Sequence, residues 1–522
     1  MKRRTFIKST MGAGAAAFLP SLTMQSLLNP AYAVPAYNEL NFAAPAVMPQ
    51  VINVFLYGGA SELAGNLTNI VDIDANSQNP YPNTLVDRAN AAPGAGVTAN
   101  GFWQAAGGDA MEFMVTGSDG VNTVAPYMSI YRTIMKRKNT SRSHRDNIFM
   151  GQKGSLDIDN TPGMGTRLAT MMYLNRSSIQ ANTLTAEGVT IPSVETMLFP
   201  FISFEGETTL FAADPMNALP LRMRGLTLDE AFNNPYTRNE DGNGAMLDAI
   251  VDKMTATYAN SRFQKAINGF SLRQELETRI GNLQNASQQT LPTNGVNGVV
   301  FDAADLNDDI NNNTLTYPNT GFGNRMRAAV TLAIENPTSV FIALGTDGLG
   351  GWDDHNNGFD RYPGRMTDLH NTLRAAAKHI KYSGTQTGVT QTPGGVVRTT
   401  DNIIINVYGD FGRLVNRNNS NGWDHANNMN LYTVGGAAVA GTTGNRQLGK
   451  IVGTTERGGN SGQNNQFTLP TSTSYEAEPL SISSTVYGYF GAQNPEVLTK
   501  DDMDNPNGDV AIDESIASEP IV

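Results

Sequence analysis

Three of the chain's five histidines lie beside carboxylate or hydroxyl groups, a combination suited to metal binding and to acid–base chemistry. These groups occur in the segments Ser143-His144, Asp353-Asp354-His355 and Asp424-His425. The chain contains no cysteine, so thiolate ligands and disulfide bonds are excluded. A metal ion would have to be held by Asp, Glu, His, Ser or Thr side chains. The three segments are therefore candidate parts of one divalent-metal site.

Each of these segments also has a purely structural interpretation. The carboxylates of residues 353–355 could cap a helix or form a polar turn, since Asp is common at such points. Ser143 and His144 could likewise mark the start of a helix. The other two histidines, His370 and His379, fall on a predicted helix, and we interpret them as packing or helix-surface residues.

The predicted secondary structure would bring the polar segments together. Short apolar runs at residues 51–57, 339–344 and 403–408 predict buried strands, and the last two follow predicted helices at 325–335 and 366–381. This alternation indicates an α/β fold with a mostly parallel central sheet and helices on both faces. Ligands of such sheets bind beyond the carboxyl ends of the strands, which is where the polar segments lie.

Other parts of the chain have less regular sequences. Stretches at 75–125 and 286–320 are rich in Asn, Gly and other polar residues and predict irregular insertions. Apolar spacing within 245–285 predicts one or two amphipathic helices. The Asn- and Asp-rich stretches at 305–313 and 501–509 do not have the spacing of a twelve-residue calcium loop.

The sequence suggests one large folded domain with extensions at both ends. Residues 34–50 are rich in Ala and Pro and are predicted to be an exposed linker. The α/β domain is assigned to residues 51–455. Residues 456–522 are expected to form an extension partly packed on that domain, with an acidic, loose tail from about residue 498.

The beginning of the chain resembles a twin-arginine export signal. Arg3 and Arg4 precede a weakly apolar stretch over residues 11–28, and Ala31-Tyr32-Ala33 fits a cleavage site. Residues 1–33 are therefore predicted to direct the protein to the periplasm or outside the cell through the twin-arginine machinery. The alternative is a basic N-terminal helix that is retained. The apolar run is shorter than the roughly 20 residues of a membrane helix, so an integral membrane protein is not expected.

The charge balance excludes some partners. The chain has 36 Lys and Arg residues against 48 Asp and Glu residues, which gives a net charge of −12. Nucleic-acid binding and binding to anionic membranes both depend on basic surfaces. We therefore expect no nucleic-acid partner.

Five motifs resemble those of a known family. They are Gly58-Gly59-Ala60-Ser61-Glu62, Arg142-Ser143-His144-Arg145, Gly351-Trp352-Asp353-Asp354-His355, Gly409-Asp410-Phe411-Gly412-Arg413 and Gly422-Trp423-Asp424-His425-Ala426. In order and spacing they are similar to G-G-x-D-G, R-S-H-F, G-W-D-T-H, S-E-F-G-R and G-x-D-H-G of the exported bacterial family known as domain of unknown function 1501. That family is placed in the alkaline phosphatase and sulfatase superfamily. The resemblance covers roughly residues 50–455.

This resemblance implies an alkaline-phosphatase-like fold with a divalent-metal site at the strand ends. By the resemblance, the metal ligands are Asp353, His355, Asp410, Asp424 and His425. Ser143 corresponds best to the nucleophile, with His144 beside it. Arg413 would neutralise an anionic substrate or brace the loop, and a structural salt bridge is its alternative. Zinc, calcium and magnesium all remain possible metals.

The chain also departs from the family pattern. Ser61 stands where the family has an Asp, and Glu62 is a weak replacement because neighbouring side chains on an extended segment point in opposite directions. Arg145 replaces an aromatic residue, and Asp410 is one methylene shorter than the family's Glu.

Two functions fit these observations. One is an exported metal-dependent hydrolase of phosphate or sulfate esters. The other is a catalytically degenerate protein of the cell envelope or surface that binds a partner or a glycan on the same fold.

Overall fold

The computed structural model describes most of the chain, and the following statements concern only that part. The described residues are 37–60, 98, 102, 107–116, 124–194, 197, 199–204, 206–213, 224–225, 253, 317–346, 349, 351–385, 400–414, 418–441, 444–459, 467–501, 504–516 and 519–521. The predicted export signal, Ser61, Glu62 and the helices predicted within 245–285, apart from Lys253, lie outside these residues.

Strands form the centre of the described structure. They are β1 (Gln50–Leu56), β2 (Met128–Met135), β3 (Phe201–Ser203), β4 (Arg224–Gly225), β5 (Phe341–Leu344), β6 (Ile403–Gly409), β7 (Gly412–Arg413), β8 (His425–Ala426), β9 (Asn428–Gly435), β10 (Ala440–Gly441), β11 (Gly444–Asn445), β12 (Lys450–Val452), β13 (Thr455–Gly458), β14 (Phe467–Pro470) and β15 (Glu519–Pro520). Nine of them form one sheet in the order β15-β12-β2-β9-β6-β1-β5-β3-β4.

The large sheet is mostly parallel, as the sequence predicted. Strand β1 lies between β5 and β6 and runs parallel to both, with Val51 opposite Phe341 on one side and Ile404 on the other. Strands β3 and β4 continue the parallel pairing beyond β5, and β12 pairs in parallel with β2. The antiparallel neighbours are β9, which lies between β2 and β6, and the edge strand β15.

Helices cover the sheet. They are α1 (Gly108–Thr116), α2 (His144–Lys153), α3 (Met164–Leu174), α4 (Arg176–Asn182), α5 (Gly321–Glu335), α6 (Gly358–Thr385) and α7 (Pro479–Tyr489). The structure confirms the predicted helices at 325–335 and 366–381, each as part of a longer helix. No helix of the described residues is long and apolar enough to cross a membrane.

Successive side chains of β1 point to opposite faces of the sheet, and each face has its own apolar cluster. Ile52 and Val54 belong to one apolar cluster, which also contains residues of α1, α5 and α6. Val51 and Phe55 point the other way and belong to a second cluster, with residues of α2, α3 and α7. Because successive side chains of a strand face opposite sides, a strand buried on both faces needs the continuous apolar sequence that β1 has.

The strand directions bring the polar loops to one edge of the sheet. Strands β1, β5 and β6 are parallel and end at the same edge. Since β9 is antiparallel to both β6 and β2, β2 also ends there, and β9 begins there. The segments after β2, β5 and β6 and the segment before β9 therefore meet, although they are far apart in the sequence.

The segment at residues 34–50, predicted to be an exposed linker, is buried at its end, over residues 48–50. Met48 is buried, and its backbone N–H donates to the carbonyl of Leu184. Gln50 begins β1, and its side-chain amide donates to three backbone carbonyls, including that of Ala333. The Ala- and Pro-rich composition did not reveal these contacts. Likewise, α1 lies within the stretch at 75–125 that was expected to be irregular.

The expectation of a loose tail after residue 498 was also wrong. Glu514 is buried, and its carboxylate accepts hydrogen bonds from Arg446 Nε at 2.8 Å and Tyr489 Oη at 2.6 Å. Strand β15 pairs with β12 at the edge of the large sheet. Glu514 thus has partners from other parts of the fold, so an acidic composition does not here indicate a solvated chain.

Stability should depend on pH through His370, which is fully buried on α6. Neither ring nitrogen has a hydrogen-bond partner among the described residues, and burial lowers the pKa of His370 to about 3. Between that pKa and the ordinary value of about 6.5, the unfolded chain binds a proton that the folded protein does not. His370 therefore destabilises the fold as the pH falls, by about 1.4 kcal/mol per pH unit.

We expect His370→Leu to remove that slope from the free energy of unfolding measured by denaturant titration between pH 6.5 and pH 4. The two proteins should differ little in slope above pH 7. Parallel stability curves for the wild type and the variant across the acidic range would show that this histidine is not the titrating group.

Candidate metal centre

Four side chains from three loops converge at the carboxyl edge of the sheet. We call His144, Asp353, His355 and His425 the His–Asp cluster; one ligand atom of each lies within 4.8 Å of the others. The Oδ1 atom of Asp353 is 3.1 Å from His144 Nε2, 3.3 Å from His355 Nε2 and 3.8 Å from His425 Nε2. The Nε2 atoms of His355 and His425 are 2.6 Å apart. The cluster is thus a group of three imidazoles and one carboxylate directed at a common point.

The far nitrogen of each imidazole ring is held by an acceptor. The acceptors are Asp410 Oδ2 for His144 Nδ1 at 2.8 Å, Asp424 Oδ1 for His355 Nδ1 at 2.8 Å and the carbonyl of Arg142 for His425 Nδ1 at 2.6 Å. A carbonyl oxygen only accepts, so the proton of His425 is on Nδ1 and its Nε2 lone pair faces the cluster. Metal-binding histidines in proteins usually have such a partner, because it fixes both the tautomer and the ring orientation.

The spacing of the cluster fits a single four-coordinate ion. Zinc bonds of about 2.0–2.1 Å in a tetrahedron require ligand atoms about 3.3 Å apart. Three of the separations given above lie within about half an ångström of that value, and the short contact between His355 and His425 needs the two rings to separate by about 0.7 Å. These residues could therefore hold a metal ion.

Electrostatics favour a cation at this point. Burial opposes ionisation of Asp353, but the hydrogen bond from Arg413 and the nearby positive charges outweigh it and lower the pKa of Asp353. Burial, together with the charge of Arg413, lowers the pKa of His425 to about 4, so that ring is neutral at pH 7.

The pKa of His144 shifts in the opposite direction to that of His425. Burial disfavours its charged form, but the hydrogen bond with Asp410 and the charges of Asp410 and Asp353 outweigh burial and raise the pKa of His144. Without a metal ion, a protonated His144 can bridge the two carboxylates. A metal ion would displace the Nε2 proton, because the ligand form of histidine is neutral.

Two buried tryptophans position the loops that carry the cluster. Trp352 and Trp423 each pack edge-on against Tyr362 of α6, with ring centroids 5.2 Å and 5.3 Å apart. The backbone N–H of Trp423 donates to the carbonyl of Asp354 at 2.9 Å. The two Gly-Trp-Asp segments are thereby fixed side by side on one aromatic ring. This contact also sets the positions of Asp353 and His425, which are next to the two tryptophans or two residues beyond them in the sequence.

Glycine is needed where these loops touch. Gly58 has a φ of +108°, and a Cβ atom there would overlap the backbone of Trp352 and Asp353. A Cβ atom at Gly422 would overlap the backbone of Asp354 and His355 from the other side. The loop after β5 is therefore held between two segments that have no side chain at the points of contact.

Arg413 holds the loops of the His–Asp cluster together through hydrogen bonds. Its guanidinium is buried and donates to the carbonyls of Gly58, Gly59, Trp352 and Trp423 and to Asp353 Oδ1. Of the two roles inferred for Arg413, the structure supports bracing of the loop, because these acceptors occupy its donors.

The comparison with protein families agrees with the motifs at this edge of the sheet. The family profile described as Protein of unknown function (DUF1501) matches residues 49–471, which include every residue of the His–Asp cluster. The chain belongs to the DUF1501 family. Comparison with curated proteins gives no match.

The geometry changes the roles inferred for three residues of this DUF1501 protein. Asp410 and Asp424 were expected to be ligands, but they hydrogen-bond to the Nδ1 atoms of His144 and His355 instead. His144 was inferred to assist a nucleophile, and its Nε2 atom lies in the His–Asp cluster. Asp353, His355 and His425 lie where the ligands were expected.

Ser143 does not join the cluster through any contact of the described residues. It directly precedes α2, its side chain is exposed, and its carbonyl accepts a hydrogen bond from Asn147 Nδ2 at 2.6 Å. This matches the helix-start interpretation. Arg145 is also directed elsewhere, since it pairs with Asp159 at 2.8 Å.

Phe411 packs against the cluster and Lys136 lies on the ring of Phe411, and neither residue was assigned a role from the sequence. The ring of Phe411 has its centroid 4.1 Å from that of His425 and 4.7 Å from that of His144, so it forms the floor of the site. Lys136 is buried on the same ring, with Nζ 5.6 Å from its centroid. Burial lowers the pKa of Lys136 to about 8, and the charge of Asp410 partly offsets this effect. Phe411 was visible only as part of a family motif.

The neighbours Asp353 and Asp354 should respond differently to the same substitution. Asp354 is buried and accepts hydrogen bonds from Arg365 at 2.8 Å and 3.0 Å, whereas the side chain of Asp353 is half exposed. Asp354→Asn removes the buried carboxylate that pairs with Arg365, whose side chain is 11% exposed, and should cost about 3 kcal/mol of unfolding free energy. Metal stoichiometry of the folded fraction should be unchanged.

Asp353→Asn should instead cause a large loss of metal affinity, because it removes the carboxylate of the His–Asp cluster. Denaturant unfolding and metal titration of both variants check this pair. Equal effects of the two substitutions on metal binding would contradict the assignment of Asp353 to the cluster.

Proposed function

We propose that this DUF1501 protein is an exported, metal-dependent hydrolase of phosphate or sulfate esters with an alkaline-phosphatase-like fold. The observation that carries the proposal is the convergence of three imidazole Nε2 atoms on Asp353, with the Nδ1 atom of every ring held by an acceptor. Metal-binding histidines usually have such an acceptor at the ring nitrogen that does not bind the metal.

The donor set favours zinc over the other two metals considered. Calcium and magnesium prefer six or more oxygen ligands, and the His–Asp cluster offers one carboxylate and three nitrogens. Imidazole with carboxylate is a usual ligand set of zinc. A bound divalent ion would supply charge neutralisation to an ester oxyanion and lower the pKa of a bound hydroxyl or water.

The chain's own residues would contribute position and charge. Asp410 and Asp424 hold the rings of His144 and His355, which leaves their Nε2 atoms directed at the site. Ser143 lies next to His144 in sequence and is exposed, so it remains the proposed nucleophile.

A non-catalytic function is the second candidate, and the ligand count favours it. Structural zinc sites usually have four protein ligands, whereas catalytic sites keep one position open for water or substrate. With Asp353 as the fourth ligand the site would be closed. The protein would then be an envelope or surface protein, binding a partner or a glycan, in which the metal stabilises the fold.

Metal analysis of the purified protein tests both candidates. We expect one equivalent of zinc, and we expect His355→Ala and His425→Ala each to lower zinc affinity at least 100-fold. If zinc is absent and neither substitution changes thermal stability, the metal function is wrong.

Catalysis is tested with zinc-loaded protein and generic phosphate and sulfate esters. Ser143→Ala should lower kcat by a factor of at least 10³, while Ser177→Ala, at an exposed serine of α4, serves as the matched control. Stoichiometric zinc with no turnover of any ester would leave the non-catalytic candidate. Turnover that survives Ser143→Ala would remove this serine from the mechanism.

Export is proposed from the sequence of residues 1–33 alone. Replacing Arg3 and Arg4 by Lys keeps the positive charge but changes the twin-arginine pair. The variant should accumulate in the cytoplasm, while the wild-type protein appears in the periplasm or medium after cell fractionation. Equal distribution of the two proteins would exclude the twin-arginine route.

A further inference from the structure

The segment between β2 and α2 leads directly into His144 and contributes a backbone carbonyl that contacts His425. This segment, residues 136–143, is called the site loop below. It ends immediately before His144, and the carbonyl of Arg142 holds His425 Nδ1 at 2.6 Å. A displacement of the site loop would therefore move one candidate ligand and the acceptor that orients another.

Within the site loop, side chains bind the backbone near its end. Lys136 Nζ and Asn147 Nδ2 both donate to the carbonyl of Ser141, at 2.5 Å and 2.9 Å. Asn147 also donates to the carbonyl of Ser143. Because Asn147 belongs to α2, these contacts tie the end of the loop to that helix, and the middle of the loop is held by other contacts.

The middle of the site loop is tied to a segment near the end of the chain. We call residues 499–509, apart from 502 and 503, the C-terminal loop. Lys138 Nζ donates to Asp509 Oδ1 at 2.6 Å, to Asn505 Oδ1 at 2.7 Å and to the carbonyl of Gly508 at 3.1 Å. An ammonium group has three N–H donors, so these three acceptors satisfy it fully.

The C-terminal loop is rigid enough to act as an anchor. Asp501 Oδ1 accepts from the backbone N–H groups of Asp504 and Asn505, at 2.6 Å and 2.9 Å. Asn505 Nδ2 donates to Asp509 Oδ2 at 2.9 Å, which orients the carboxylate that binds Lys138. Asp509 and Asn505 are buried, so their bonds are partly shielded from water.

A second contact holds the same part of the site loop. Glu478, immediately before α7, accepts from the backbone N–H groups of Arg137 and Lys138 at 3.1 Å. The Arg137 side chain, in contrast, forms a pair with Glu476 that is exposed on the arginine side. Lys138 is thus the side chain that connects the site loop to the C-terminal loop, whereas Arg137 offers a matched surface control.

We propose that Lys138 is a positioning residue of the metal centre, and that the C-terminal loop sets the geometry of His144 and His425 through it. The proposal rests on the proposed metal function and extends it to residues 499–509, which lie beyond the stretch that matches the family profile. Lys138 acts through the site loop and does not touch the His–Asp cluster in any contact of the described residues.

Three single variants of the full chain test this proposal. Lys138→Met and Asp509→Asn remove the same ion pair from its two ends, and Arg137→Gln removes the surface pair one residue away. Hydrogen exchange of the peptide covering residues 139–147 is measured on the metal-free protein. We expect exchange to be at least tenfold faster in Lys138→Met and Asp509→Asn, and to change less than twofold in Arg137→Gln.

Cobalt(II) titration then measures the affinity and the coordination geometry of the metal site. In the first two variants we expect cobalt affinity to fall about tenfold, with a changed visible absorption spectrum, while Arg137→Gln matches the wild type. The double variant of Lys138 and Asp509 should be no worse than either single variant, because both remove one contact. A merely structural role would alter stability without altering the cobalt spectrum.

The outcomes separate this proposal from the metal function. Unchanged exchange at residues 139–147 in both ion-pair variants overturns it, as does faster exchange with an unaltered cobalt spectrum and affinity. If the wild-type protein binds no cobalt, the metal function fails, and the role of Lys138 in positioning a metal centre fails with it. Cobalt binding that is equal in all variants leaves the metal function intact and removes Lys138 alone.

Discussion

The arrangement of the site depends on one constraint: the Asp353 carboxylate and three imidazole nitrogens lie close together. The Oδ1 atom of Asp353 lies 3.1–3.8 Å from three imidazole Nε2 atoms, and two of these nitrogens are 2.6 Å apart; lone pairs at such distances repel unless a cation or protons lie between them. The surroundings maintain the arrangement, because the Nδ1 atom of every ring has an acceptor and Arg413 holds the carboxylate. A proton can bridge part of the cluster, but a divalent ion would satisfy all four groups.

The fold supplies the convergence through its strand directions. Parallel strands end at one edge, and the antiparallel strand β9 begins there, so loops far apart in the sequence meet. The loops are then held by residues that do not belong to the His–Asp cluster. Trp352 and Trp423 pack on Tyr362, and Gly58 and Gly422 allow close backbone contact because they have no side chain. The geometry of the cluster is therefore a property of the sheet edge as a whole.

Much of the fold and part of the site could be predicted from the sequence. The apolar runs predicted β1, β5 and β6 within a few residues, because a strand buried on both faces requires an uninterrupted apolar sequence. Asp353, His355 and His425 were predicted as metal ligands because carboxylate and imidazole in short loops after such strands suit a metal ion, and the structure brings the three side chains together. Ser61 and Glu62 lie outside the described residues, so the departure from the family motif there remains a prediction about sequence alone.

The errors have physical causes. Sequence adjacency does not give side-chain direction, so Asp410 and Asp424 were taken as ligands although they point at the far side of the rings. A backbone carbonyl such as that of Arg142 has no signature in the sequence. The tail was misjudged because Asp509 and Glu514 are buried and paired with Lys138 and Arg446, which belong to distant segments.

Anomalous X-ray diffraction from zinc-soaked crystals, recorded on both sides of the zinc absorption edge, tests the central claim most directly. We predict one strong peak per chain, bonded to the Nε2 atoms of His144, His355 and His425 and to a carboxylate oxygen of Asp353, with zinc–nitrogen distances of about 2.0–2.1 Å. A peak coordinated by other residues, or no peak at this edge of the sheet, would contradict the account.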